Sequence, residues 1–279
     1  RLFERPTGVC IDSKGNQFIV EEARHKVLKF DPSGSLIKVI GGRLGHANGS
    51  FYYPFKCEVD KNDNVYVSDY GNNRAQKFDN DGNWLLNFPN RTTDWTPVYR
   101  ASGIAVDDDG NVYVGERYTW KIKKFTPAGQ IFKINGMGID WTTGYAPYGI
   151  SIHNDGVMDI VYVVNMWQQG QQVKRYTTYG SYRELINHNN IRPNDPEITL
   201  QNGDYIASVE VNDNGIYVAH TYSHYIDHYS HNGTYIGKVG TFGNGPGQFK
   251  YVWALDSDKD GNIYATDWLN HRVNKFTKD

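Results

Sequence analysis

The stretch DNVYVSDYGNNRAQKFDNDG, Asp63–Gly82, has close cousins at Gly110–Gly129 (GNVYVGERYTWKIKKFTPAG) and Gly261–Asp279 (GNIYATDWLNHRVNKFTKD). A chain that rewrites one segment must fold as an array of similar units, because every copy carries the same pattern of apolar faces. The first apolar run of each unit closes at Asp12, Asp60, Asp107, His153, Asn212 and Asp256, at intervals of 48, 47, 46, 59 and 44 residues. Six units therefore fill the 279 residues, and the long interval absorbs an insertion around NHNNIRPNDPEITLQNGD.

Each unit reads alike. GIAVD (103–107) meets the turn DDG, then the alternating run NVYVGE, a loop, KIKKF, a Pro/Gly or Asn/Gly turn, and GQIFKI. β-Branched and aromatic residues fill the runs, turn residues separate them, and no helical period intervenes. One unit is thus a four-stranded antiparallel meander with two apolar faces. It cannot bury both alone, whereas radial packing buries each face on a neighbour. The expected fold class is all-β: a six-bladed β-propeller forming a single domain over 1–279. Its blades fall near 5–51, 52–98, 99–145, 146–203, 204–249 and 250–279, and the last lacks its outer strand within this chain. An unpaired edge is a liability. The missing strand comes either from a segment of a longer polypeptide or from a partner by β-augmentation.

The runs NHRVNKF (270–276), NNRAQKF (72–78) and RHKVLKF (24–30), each after VDxxGNxYVxD-like text, resemble the NHL repeat over essentially the whole chain. The resemblance implies a six-bladed propeller. It implies no single function, since the family includes an amidating lyase, RNA-binding domains and extracellular recognition modules. The lyase would need channel histidines for zinc, and no inner strand here begins with one.

Inner strands line the central channel. Two places before each anchor stand Cys10, Glu58, Ala105, Ser151, Glu210 and Ala254. Small residues suit the crowded axis, so Glu58 and Glu210, on opposite blades, stand out, as does Lys56 where other units have Gly. A carboxylate pair near an ammonium could bind calcium or serve as a base; a hydrated channel with a Lys56–Glu58 pair is the plainer alternative. The run DSDKDGN offers Asp256, Asp258 and Asp260 at calcium-loop spacing, the only cofactor suggested. His220, His224, His228 and His231 recur every four residues, which would align them on a helix, but the segment reads as loop and strand. Cys10 and Cys57 have the opposite parity that contact between adjacent blades requires; a disulfide or two buried thiols would satisfy it. The sequons at Asn48, Asn90 and Asn232 sit in loops or turns and suit an extracellular or cell-surface protein.

One propeller face gathers the loops. The acids Glu21, Asp69, Glu116 and Asp267 close the second strands there, and His25, Asn73, His224 and His271 follow. Their repetition argues for scaffold roles. Aromatics suited to recognition are Tyr53, Trp95, Tyr99, Trp120, Trp141, Tyr148, Trp167 and Tyr251, making the face aromatic and weakly acidic. The net charge of −2 gives no case for nucleic acid, and no apolar run is long enough for membrane insertion. These features lead to a non-enzymatic recognition or assembly module that binds protein or glycan through its loop face. The alternative is a metal-dependent lyase or lactonase-type hydrolase using Glu58, Glu210 and Lys56.

Overall fold

The computed structural model describes residues 4–135, 137–143, 146–165, 172–187 and 205–277. The repeated polar turn is what makes each hairpin. In blade 1, Asp12 Oδ1 accepts the N–H groups of Lys14 and Asn16 at 3.0 and 2.8 Å. Asp60, Asp107 and Asp258 do the same two and four residues on. Gly15, Gly110 and Gly261 sit at φ near +80° in these turns, a conformation open to glycine without strain. In blade 6 the turn is thus anchored by Asp258, not by the Asp256 chosen from the sequence.

Six antiparallel sheets result. Their inner strands are Pro6–Ile11, Pro54–Val59, Ala101–Val106, Pro147–Asn154, Ile206–Asn212 and Val252–Ser257. These abut in that order and close back on the first, so the sheets stand radially around one axis. Second and third strands follow outward, such as Val65–Asp69 and Arg74–Phe78 in blade 2. The outer strands are Leu36–Gly41, Trp84–Phe88, Asp140–Thr142, Tyr182–Asn187 and Tyr235–Val239. Blade 6 has three strands among the described residues, ending at Arg272–Phe276.

The core lies between blades. Phe18, Val27, Phe51, Val67 and Phe78 fill the seam of blades 1 and 2, and comparable sets fill the next four. The sixth seam is split into two smaller groups. Cys10 and Cys57 form a disulfide between the inner strands of blades 1 and 2, with Cα atoms 5.7 Å apart. Gly8 shows how tight the axis is: a Cβ there would lie 2.9 Å from Val20 and 3.1 Å from the Lys56 backbone.

Candidate active site at the axis of the propeller

The polar groups that recur in four of the blades are occupied by structure. Glu21, Asp69, Glu116 and Asp267 accept the backbone N–H of Glu4, Tyr52, Tyr99 and Lys250, fastening the loop that leads into their own blade. Each also pairs with a cation: Lys26, Arg74, Lys123 and Arg272, at 2.9–3.0 Å. The next ring latches neighbouring blades. The Nδ1 atoms of His25, His224 and His271 accept the N–H of Tyr53, Tyr251 and Arg5, and Asn73 Oδ1 accepts that of Arg100. Acceptor and donor residues alike adopt positive φ.

A second set of ionisable groups gathers on the axis. Glu58, Glu210 and Asp256 line one narrow cavity of about 20 Å³, room for about one water. They occupy the same inner-strand register, opposite Tyr66, Tyr217 and Tyr264. Asp256, not Ala254, is therefore the blade 6 member of the channel ring. Burial raises the Glu58 carboxyl well above the ordinary range, and the charge of Glu210 adds to it. Asp256 is raised likewise, by burial and then by Glu210 and Glu58. Glu210 is pushed up to about 7 by burial, although hydrogen bonds from Ser257 at 2.7 Å and Ser151 at 3.4 Å favour its charged form. Three like charges cannot share so small an enclosure, so protons stay on.

Lys56 lies one layer nearer the loop face. Its register partners are Gly8, Gly103, Gly149, Ser208 and Ala254, and its side chain fills the space they leave. The amine donates to the Trp253 carbonyl at 2.6 Å, and burial alone brings it down to about 7. The expected pairing with Glu58 is absent; the amine is held by that carbonyl instead.

Above Lys56 the channel is closed by aromatic rings. The ring of positions one residue earlier alternates small and large: Thr7, Phe55, Ser102, Tyr148, Ala207, Trp253. Phe55 packs edge-on against Tyr148 and Trp253, with centroids 5.5 and 6.3 Å apart. Over this floor stand the residues that follow the repeated acids, Glu22, Tyr70, Arg117 and Trp268, and Thr221, which follows His220. The Arg117 guanidinium lies 5.2 Å from the Tyr148 ring and 5.9 Å from that of Tyr70. Burial raises the Glu22 carboxyl despite the opposing charge of Arg117. Burial also pushes the Tyr148 phenol up to about 12. The mouth thus offers a carboxyl of raised proton affinity, a guanidinium and two phenols around an apolar floor.

Of the aromatic set, Tyr148 alone forms part of this floor. Tyr53 and Tyr251 belong to the loops latched by His25 and His224. Trp95 is 77% exposed on an outer loop, and Tyr99 and Trp120 are also exposed there. Trp141 is not on the loop face: it packs between Tyr113 and Tyr176 in the seam of blades 3 and 4. Trp167 lies outside the described residues. Asn48 and Asn232 are exposed and Asn90 is half-buried.

The calcium spacing serves another purpose. Asp258 is consumed by its turn, by Tyr264 and by an ion pair with Lys275 at 3.2 Å. Asp256 accepts the Ile11 N–H at 2.6 Å across the blade seam, and Asp260 is exposed. Each of the three is thus engaged separately or left to solvent. Among the described residues no three His, Cys, Asp or Glu side chains are grouped to hold a metal ion.

No family model matches the chain. In sequence it is 28% identical over 132 residues to a probable peptidyl-alpha-hydroxyglycine alpha-amidating lyase of Caenorhabditis elegans. The match takes in 45% of this chain and 38% of that protein, so the chain spans well under half the length of this curated relative. In structure it resembles a streptogramin B lyase, with TM-score 0.62 and 13% identity, over 100% of this chain and 85% of the other. It also resembles a gluconolactonase of Xanthomonas campestris, with TM-score 0.67 and 10% identity, over 96% and 85%. At such identity the structural likenesses speak to the fold. Together with the lyase found by sequence, they overturn the expectation of a non-enzymatic recognition module.

Proposed function

We propose that the chain is an enzyme of the lyase or lactonase-type hydrolase class, with its reaction centre at the aromatic mouth of the channel. The observation that carries this reading is the segregation of ionisable groups. Repeated ones are neutralised within the scaffold, while Glu22, Lys56 and the channel carboxyls converge on the axis with proton affinities shifted toward neutrality, beside the Arg117 guanidinium. Such shifts suit acid–base catalysis near neutral pH.

The two reaction classes ask for the same parts. Lactone hydrolysis takes a proton from the attacking water and gives one to the leaving alkoxide. Cleavage of an α-hydroxyglycine takes a proton from its hydroxyl and gives one to the leaving amide nitrogen. Glu22 donates the proton to the leaving atom, and Arg117 stabilises the developing oxyanion. We read the blades as NHL-type and the protein as exported: a disulfide persists in oxidising compartments, and two of its sequons are exposed.

Purified protein is assayed with gluconolactone and related lactones by proton release, and with a peptide ending in α-hydroxyglycine by glyoxylate release. Turnover of one class, with kcat reduced about 10²-fold or more in Glu22→Gln and Arg117→Met, is expected. No turnover across the set, or turnover indifferent to both substitutions, overturns the reading.

A further inference from the structure

The loop face was expected to be weakly acidic, yet its centre is cationic. Three exposed arginines stand over aromatic rings around the mouth: Arg5 over Trp268 at 5.0 Å, Arg100 over Tyr70 at 5.1 Å, and Arg117 over Tyr148 and Tyr70. The rings form one continuous surface. Trp268 stacks on Trp253 with centroids 5.9 Å apart, Trp253 meets Phe55, and Phe55 meets Tyr148 and, at 6.2 Å, Tyr70. None of the three arginines has an ion-pair partner among the described residues, whereas Arg24, Arg74 and Arg272 do.

Among the described residues, the nearby acids do not cancel this charge. Glu21, Asp69, Glu116 and Asp267 are committed to backbone N–H groups and their own cations, and Glu4 is paired with Arg24 at 3.0 Å. Glu22 is the carboxyl whose charge reaches Arg117, and burial keeps its proton on to higher pH. Arg117 Nη1 donates to the Tyr70 hydroxyl at 3.5 Å, which leaves its other guanidinium N–H groups to meet a carboxylate, and a ring floor binds a flat apolar body. The cavity below has room for about one water, so the body lies across the collar instead of entering the channel.

We infer that the mouth binds a carboxylate carried on a flat, apolar body, with Arg117 gripping the carboxylate and Phe55, Tyr148 and Trp253 supporting the body. That this ligand is the substrate rests on the proposed function; that it binds does not. The test is ligand-observed NMR titration of the intact chain with phenylacetate and its neutral isostere phenylacetamide at low ionic strength. Phenylacetate is expected to bind at least about tenfold more tightly, to lose that margin in 0.5 M salt, and to lose it in Arg117→Met with an unchanged circular dichroism spectrum. Equal binding of the two probes, binding of neither, or a margin that survives Arg117→Met overturns the inference. Discrimination without turnover of any lactone or hydroxyglycine removes the enzyme reading and leaves this one; turnover without discrimination does the reverse.

Discussion

The Lys56 amine crosses the axis of the ring to the Trp253 carbonyl, 2.6 Å away and two blades from where its side chain begins. No carboxylate neutralises it there among the described residues, and burial lowers it to about 7. The folded form therefore binds fewer protons than the unfolded chain between about pH 7 and the ordinary lysine value. The cost of the enclosed charge is fully present below pH 7 and is relieved as pH rises. Lys56→Met keeps most of the stem packing and removes the charge. It is expected to stabilise by about 2 kcal/mol at pH 5.5, with the gain fading by pH 9. Urea unfolding at the two pH values checks this; a loss of stability at both would mean that the hydrogen bond to Trp253 outweighs the desolvation.

The channel carboxyls work in the opposite window. Glu210, Glu58 and Asp256 hold their protons more tightly when folded than when unfolded. Their contribution is fully favourable below the ordinary carboxylate range and is lost as pH rises toward about 7, where Glu210 ionises. Glu210→Gln preserves an oxygen acceptor for Ser257 and removes the titration. The fall in unfolding free energy between pH 4.5 and 7 is expected to become shallower, by about 1 kcal/mol or more. An unchanged slope would place the protons elsewhere.

The Cys10–Cys57 disulfide closes a loop of one repeat, with a sequence separation of 47. Loop-closure entropy assigns such a crosslink about 4 kcal/mol. A Cys10→Ala, Cys57→Ala double variant is expected to unfold at correspondingly lower denaturant, with the same circular dichroism before unfolding. Reduction of the native chain by dithiothreitol should reproduce that loss, and a variant as stable as the parent would refute the crosslink's role.

The repeat made the blades legible because register is written in every unit: a turn-forming Asp, a Gly or Asn, then alternating apolar residues. The axial site was legible only where one unit departs from the others. Glu58 and Glu210 announced themselves by replacing small residues. Asp256 did not, because DSDKDGN offers three acids two places apart and nothing in the sequence marks Asp258 as the turn anchor. The arginines of the mouth left no sequence signal: Arg5 and Arg100 occupy latch positions held by Tyr53 and Tyr251 elsewhere. Their place over Trp268 and Tyr70 depends on rings from other blades. Counting charges along the loops also misjudged the sign, since the repeated acids spend theirs on backbone N–H groups.

The seam between blades 6 and 1 is the place where the ring is held least. Its apolar contacts separate into Ile19, Leu28 and Phe30 on one side and Val9, Ile11, Ala254 and Tyr264 on the other, with half-buried Val273 touching both. Without an outer strand among the described residues, Arg272–Phe276 is mostly half-buried, whereas its counterpart Lys121–Phe125 is largely buried. Among the described residues two hydrogen bonds cross the seam, the Ile11 N–H on Asp256 at 2.6 Å and the Arg5 N–H on His271 at 3.1 Å, beside the Arg5 guanidinium over Trp268. Opening of blade 6 therefore exposes less apolar surface than opening of blade 3, and local opening follows the least buried unit. The amides of Ile263–Asp267, paired on both sides, are expected to exchange at least about tenfold faster than those of Val112–Glu116 under native conditions. His271→Ala should widen the difference by removing a fastener, and an added peptide that pairs with Arg272–Phe276 should narrow it. Equal protection in blades 3 and 6 would show that the seam is held by contacts other than these.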